Sequence, residues 1–186
     1  MSKHETYTVE VAGLKRDLRK FEIKPGLKIA ILNILGDTEF VRACARELAK
    51  KLKDVEYDVL VTAEAKSIPL AHDLSAETNK PYVVLRKAYK PYMGEALKAE
   101  TLSITTGQPQ TLILDEKDIQ LMKGKKAVIV DDVISTGSTL QGMRAILNQA
   151  GSSVAAEASI FTEGDLAQWS NVISLGHLPV FVEENK

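Results

Sequence analysis

The sequence predicts an α/β fold: a central, mostly parallel sheet flanked by helices. Three observations carry that prediction. Compact apolar runs of strand length recur at residues 57–62, 82–85, 126–130 and 154–161. Stretches with apolar residues at helical spacing fall between several of them. Strands alternating with helices imply right-handed crossovers, and such sheets bind ligands beyond the carboxyl ends of their strands.

The elements follow in order. Residues 7–35 read as extended segments broken by Gly13, Pro25 and Gly26. Asp37 or Thr38 can cap a helix over 39–53, with Phe40, Val41, Cys44, Leu48 and Leu52 on one side. A strand over 57–62 precedes a turn and helix over 66–78, and Pro81 introduces the strand 82–85. Residues 99–106 and 110–114 can pair around Gly107-Gln108-Pro109. The strand 126–130 enters a loop and then a helix with Leu140, Met143, Ile146 and Leu147 on one face and Gly151 just past its end. Residues 154–161 and 172–175 complete the strands. No repeat or low-complexity linker divides the chain.

Bulk composition narrows the function classes. The chain has 186 residues, enough for one domain with a full core. A net charge of −1 gives no global basic field for nucleic acid or membrane. The polar N-terminus does not read as a signal peptide, and no apolar run approaches a membrane span. One cysteine, Cys44, fits a reducing cytosol and belongs to the apolar side of its helix. One cysteine and three scattered histidines supply no structural zinc set.

Residues 128–140 read Val-Ile-Val-Asp-Asp-Val-Ile-Ser-Thr-Gly-Ser-Thr-Leu. The acidic pair Asp131 and Asp132 is expected where the strand ends, facing solvent at the mouth of a cleft. Ser135, Thr136, Gly137, Ser138 and Thr139 then form a loop entering a helix, whose free N–H groups and dipole suit an anion. Two carboxylates for a diol beside a cradle for phosphate describe a site for a ribose 5-phosphate. The chain has no Gly-x-x-x-x-Gly-Lys-Ser/Thr, and no Gly-x-Gly-x-x-Gly after a strand, so neither a P-loop nor a dinucleotide site is expected. Residues 64–66, 86–87 and 131–132 close three core strands, so topology should bring them to one cleft.

The segment resembles the signature of the type I phosphoribosyltransferases, which use 5-phosphoribosyl 1-pyrophosphate (PRPP). The resemblance spans about residues 27 to 165. It implies the type I phosphoribosyltransferase fold as one domain over 1–186, with the chain's N- and C-terminal segments forming a small hood. It implies that Asp131 and Asp132 hold the ribose hydroxyls and that Val133 and the Ser135, Thr136, Gly137, Ser138 and Thr139 loop serve the ribose 5-phosphate. Lys66, Arg86, Lys87 and Lys90 would hold pyrophosphate, and Asp131, Asp132, Arg86 and Lys87 would carry the chemistry. Mg²⁺ would be held mainly by PRPP. The base would meet Leu27, Ile29, Val133 and Glu163.

The run Arg86-Lys87-Ala88-Tyr89-Lys90 resembles adenine phosphoribosyltransferases. Lys66 stands where that branch usually has Arg, and Thr105-Thr106 where it commonly has Glu-Tyr. Residues 103–110 look more like xanthine phosphoribosyltransferases and purine-operon repressors. Those repressors add an N-terminal DNA-binding domain, for which a strand pattern starting by Tyr7 leaves no room. The xanthine enzymes place a lysine near the base, but here the neighbourhood reads Phe161-Thr162-Glu163-Gly164. Residues 89–111 form the kind of excursion that closes over substrate in the family. The resemblance therefore implies a cytosolic, homodimeric purine phosphoribosyltransferase acting on adenine. Its alternatives are another base or a PRPP-binding regulator without catalysis.

Overall fold

The computed structural model describes residues 5–102 and 109–182. The first three strands, β1 (Thr6–Val11), β2 (Leu14–Lys24) and β3 (Leu27–Ile31), form an antiparallel meander turned at Gly13 and Gly26. Both glycines sit at φ +75°, a conformation that a Cβ disfavours. Asp37 caps α1 (Thr38–Leu52), its carboxylate accepting from the Phe40 N–H, and the expected face is buried. Cys44 is fully buried there, and burial pushes its thiol up to about 12.

The chain then runs β4 (Val59–Ala63), α2 (Ile68–Thr78) and β5 (Tyr82–Leu85). A hairpin of β6 (Leu97–Leu102) and β7 (Pro109–Leu114) follows, with Leu102 opposite Pro109 and Leu97 opposite Leu114, so Pro109 lies in a strand and not in the turn expected at Gly107-Gln108-Pro109. Gly107-Gln108 and Thr105-Thr106 lie outside the described residues. A short helix that the sequence analysis did not anticipate, α3 (Glu116–Met122), is capped by Asp115, which accepts from the Lys117 N–H. Next come β8 (Lys126–Ile134), α4 (Ser138–Gln149), β9 (Ser153–Glu163), β10 (Ile173–Leu178) and β11 (Val180–Val182).

Five strands form the parallel sheet, in the order β10-β9-β8-β4-β5. One face packs on α1 and α2 through Leu60, Val128, Val130 and Ile160; the other packs on α4 and the hairpin through Val61, Ile129, Leu112 and Met143. Burial on both faces explains why these strands read as continuous apolar runs. The end of the chain returns to its beginning. β11 pairs antiparallel with β3, Val180 opposite Ile29 and Val182 opposite Leu27. The resulting four-stranded sheet has the order β1-β2-β3-β11.

One expectation is corrected. β8 does not end at the acidic pair but continues to Ile134, with Val133 and Ile134 still in register with Phe161 and Thr162 of β9. Asp132 is buried at 5% exposure rather than facing solvent. The carboxylates can stay inside the sheet because α2 brings them a hydroxyl donor.

Candidate active site

That donor is Ser67. It stands directly before α2, where a serine ordinarily caps the helix, yet it makes no capping bond. Its hydroxyl instead donates to Asp131 Oδ1 at 2.6 Å, lies 3.2 Å from Asp132 Oδ1, and accepts from the Asp132 N–H at 2.9 Å. The Asp132 N–H is also 2.9 Å from Asp131 Oδ1. Lys66, one residue earlier, sets its Nζ 3.1 Å from Asp132 Oδ2 and 3.3 Å from the Leu32 carbonyl oxygen. Burial, and then the Asp132 charge beside it, raises the Asp131 carboxyl far above the usual carboxylate range. The pair therefore favours sharing a proton over carrying two full charges.

The loop after β8 lies next to the pair. Gly137 takes φ +76° and forms the N-terminal boundary of α4. The first amides of this helix supply donors at its positive end. Thr136 Oγ1 and Ser138 Oγ are 3.1 Å apart. A small pocket here is lined by Asp131, Val133 and the whole loop from Ser135 to Thr139. No lysine or arginine belongs to the loop, so an anion would be held by amides, hydroxyls and the helix dipole. Trp169 covers the loop at Gly137 and donates its Nε1–H to the Glu163 carbonyl oxygen at 2.9 Å.

Two of the cationic residues, Arg86 and Lys66, are already paired. Arg86 Nε lies 2.5 Å from Glu64 Oε2, and the Lys87 N–H donates to Glu64 Oε1 at 2.8 Å. Burial works to raise the Glu64 pKa, but the Lys87 amide and Arg86 outweigh it and the net shift is downward. Arg86 also exchanges two backbone hydrogen bonds with Ile113 of β7. The side chains of Lys66, Lys87 and Lys90 belong to exposed residues, and the Lys90 N–H faces Met93 Sδ at 3.3 Å. Strand ends 64–66, 86–87 and 131–132 thus converge through the pairs Glu64–Arg86 and Lys66–Asp132.

A larger apolar cleft of about 500 Å³ opens beside the loop. Ile23, Leu27, Ile29 and Val180 of the four-stranded sheet form one wall; Ser135, Thr136, Glu163 and Gly164 form the other. Leu27, Ile29 and Glu163, which the family resemblance puts near the base, all line this cleft. Val133, expected at both the ribose 5-phosphate and the base, lines the loop pocket and packs toward the core. Ser67 and Trp169 were not anticipated: serine before a helix reads as a cap, and the single tryptophan lies in no motif.

A family model described as a phosphoribosyl transferase domain matches residues 31–170. The chain belongs to the phosphoribosyltransferase family. It is accordingly a pentosyltransferase by family. An adenine phosphoribosyltransferase of Thermosipho africanus is 30% identical over 171 residues, covering 86% of this chain and 94% of that protein. The purine biosynthesis transcriptional activator PurR of Lactococcus lactis is 27% identical over 155 residues, covering 83% of this chain and 55% of the activator. Among solved structures, adenine phosphoribosyltransferase of Thermoanaerobacter pseudethanolicus superimposes with a TM-score of 0.71 at 22% identity, covering 86% of this chain and 95% of that one. This phosphoribosyltransferase therefore shares the fold of that enzyme.

Proposed function

We propose that this phosphoribosyltransferase transfers the phosphoribosyl group of PRPP to adenine, giving AMP and pyrophosphate. One observation carries the reading. Ser135 and Thr136 belong both to the loop at the start of α4 and to the wall of the apolar cleft. A ribose 5-phosphate on the loop would present its C1′ toward a purine lying in that cleft. The flat apolar surfaces of Leu27, Ile29 and Val180 suit an aromatic ring.

In the reaction the bond from C1′ to the pyrophosphate oxygen breaks, and a bond from C1′ to the purine nitrogen forms. The electron pair of the broken bond leaves with pyrophosphate, and the purine N–H proton is released. Asp131 and Asp132 would hold the ribose hydroxyls and favour positive charge developing on the sugar. Arg86, Lys87, Lys90 and Lys66 would hold the departing anion, Arg86 leaving Glu64 and Lys66 leaving Asp132 to do so. Val133 and the loop would fix the 5-phosphate.

The donor set fits Mg²⁺ delivered with the substrate. Among the described residues no three His, Cys, Asp or Glu side chains form a protein cage. Asp132 Oδ2, however, is a buried oxygen without a hydrogen bond, facing only Lys66. One or two carboxylates plus substrate phosphates are the usual Mg²⁺ environment. Asp131 and Asp132 would hold the ion together with PRPP, and when bound it neutralises the leaving group.

We further infer a cytoplasmic homodimer. Single-cysteine usage supports the compartment. Exposed Phe21 and Leu35, at 52% and 51%, supply apolar surface for a second copy, which sedimentation would reveal. A regulatory reading, in which PRPP binds without turnover, draws on the PurR similarity. Pyrophosphate release with PRPP, Mg²⁺ and a panel of bases separates the two. Release with adenine supports the transferase; tight PRPP binding with no release from any base assigns the chain to the regulators.

A further inference from the structure

Glu163 ends β9 with its side chain on the wall of the apolar cleft. Its backbone is fixed on both sides. Its carbonyl oxygen accepts from Trp169 Nε1 at 2.9 Å, and it lies in register with Leu178 of β10. The next residue is held as well, the Gly164 N–H donating to the Leu178 carbonyl oxygen at 3.3 Å. The side chain is treated differently. The residue is 8% exposed, yet among the described residues its carboxyl forms no hydrogen bond and no ion pair.

A carboxyl on so buried a residue, with no donor or cation beside it among the described residues and its oxygens still open to the surrounding space, calls for an explanation. The same strand shows how a structural carboxyl is treated. Glu157, at 9% exposure, takes both Arg144 Nε at 2.5 Å and Arg144 Nη2 at 2.7 Å. Glu163 has no such clamp. Lys24, the cation on the cleft wall, is exposed and forms no ion pair with it. Burial alone raises its pKa, as expected for an acid facing an apolar space.

We propose that Glu163 is a specificity-determining residue, whose carboxyl accepts a hydrogen bond from the exocyclic amino group of an aminopurine held in the cleft. This rests on the purine phosphoribosyltransferase reading above and names its base class. Leu27, Ile29 and Val180 offer only dispersion contacts, which do not tell one purine from another. An ionised carboxylate accepts hydrogen bonds and cannot donate them. Facing a 6-amino group it gains a donor. Facing a 6-carbonyl, two acceptors meet and both stay unsatisfied in an apolar space. Glu163, the one carboxyl on a wall that otherwise carries Lys24 and the Ser135 and Thr136 hydroxyls, thereby becomes the discriminating contact.

The nucleotides AMP and IMP test this without turnover, because they differ at the base and share the ribose 5-phosphate. Calorimetry on the full chain should give AMP an affinity about tenfold or more above that of IMP. Glu163→Gln keeps the shape and offers an N–H, so the ratio should collapse to about one or invert, with ribose 5-phosphate affinity unchanged within about twofold. Glu163→Ala should weaken AMP by about tenfold and IMP far less. A ratio that survives both variants overturns the proposal, as does equal loss for both nucleotides. Failure of both nucleotides to bind the wild type overturns it together with the transferase reading, and IMP binding tighter than AMP overturns the proposal alone. A shifted ratio in a chain that releases no pyrophosphate with any base upholds Glu163 as the base reader and sinks the transferase reading alone.

Discussion

Trp169 lies against Gly137. A Cβ built on Gly137 would sit 2.9 Å from Trp169 Cη2, and Gly137 itself adopts φ +76°. The same indole reaches Glu163, so the anion loop and the cleft wall share one aromatic cover. Because Trp169 is the sole tryptophan, its emission reports on the loop. Saturating ribose 5-phosphate should shift or quench it. Gly137→Ala adds a left-handed non-glycine residue as well as the contact, costing about 1–2 kcal/mol, and should lower Tm and abolish the signal. Emission indifferent to ribose 5-phosphate would remove the loop from the binding site.

The acidic pair predicts opposite effects on function and stability. Asp131→Asn with Asp132→Asn should cut PRPP affinity well over tenfold, since charge-assisted hydrogen bonds are worth roughly 1.5–3 kcal/mol each. Retained affinity in calorimetry would refute the assignment to the ribose.

Asp131→Asn alone should stabilise the folded chain, most at alkaline pH. Burial and Asp132 push the Asp131 carboxyl from 3.8 up to about 7, so the folded state binds the proton more tightly than the unfolded one. A raised folded pKa contributes stability below the unfolded value and loses it as pH climbs through the folded value. Wild-type stability should therefore fall between about pH 4 and 7 through this group. At pH 8 the variant should gain on the order of 1–2 kcal/mol, and less at pH 5. Thermal melts at the two pH values decide; a gain independent of pH would contradict the shared proton.

Ser67→Ala should be damaging out of proportion to its size. The hydroxyl bonds Asp131 and takes the Asp132 N–H in a site only 2% exposed. Removing it leaves buried polar groups unsatisfied, a cost of about 1–3 kcal/mol. Ser67→Thr keeps the hydroxyl and should recover part of the loss in denaturant unfolding. Equal stability of Ser67→Ala and wild type would mean that the carboxylates do not depend on this donor.

The chemistry-bearing loop was legible in the sequence because it is local. Residues 135–139 touch one another through the chain, and Gly137 and the helix face from Leu140 to Leu147 announce their conformations by residue type. The parallel sheet was legible because double-sided burial writes continuous apolar runs. What was hidden depends on distant partners. Ser67 reads as a helix cap until Asp131, across 64 positions, claims its hydroxyl. The strand's extension past Asp131 follows from pairing with β9 and from that same hydroxyl, neither visible locally. The seven-residue α3 is too short for a helical period to declare itself. The cations of residues 86–90 were legible as a cluster, but the engagement of Arg86 by Glu64 was not.

That engagement gives the last prediction. Arg86 is held by Glu64 in a pair whose side chains are 38% and 21% exposed, and pairs this open to solvent are worth about 0–1 kcal/mol. Exchanging Glu64 for a multiply charged pyrophosphate is therefore cheap, and the incoming oxygens match the guanidinium fork. Arg86→Lys keeps the charge but loses the fork. It should raise KM for PRPP about tenfold while shifting stability by less than about 1 kcal/mol. Glu64→Gln releases Arg86 without removing a cation and should leave KM for PRPP the same or lower. If Arg86 is only a strand-end brace, both variants will lower Tm together and leave KM for PRPP untouched, and the cationic side of the site must then be sought among Lys66, Lys87 and Lys90.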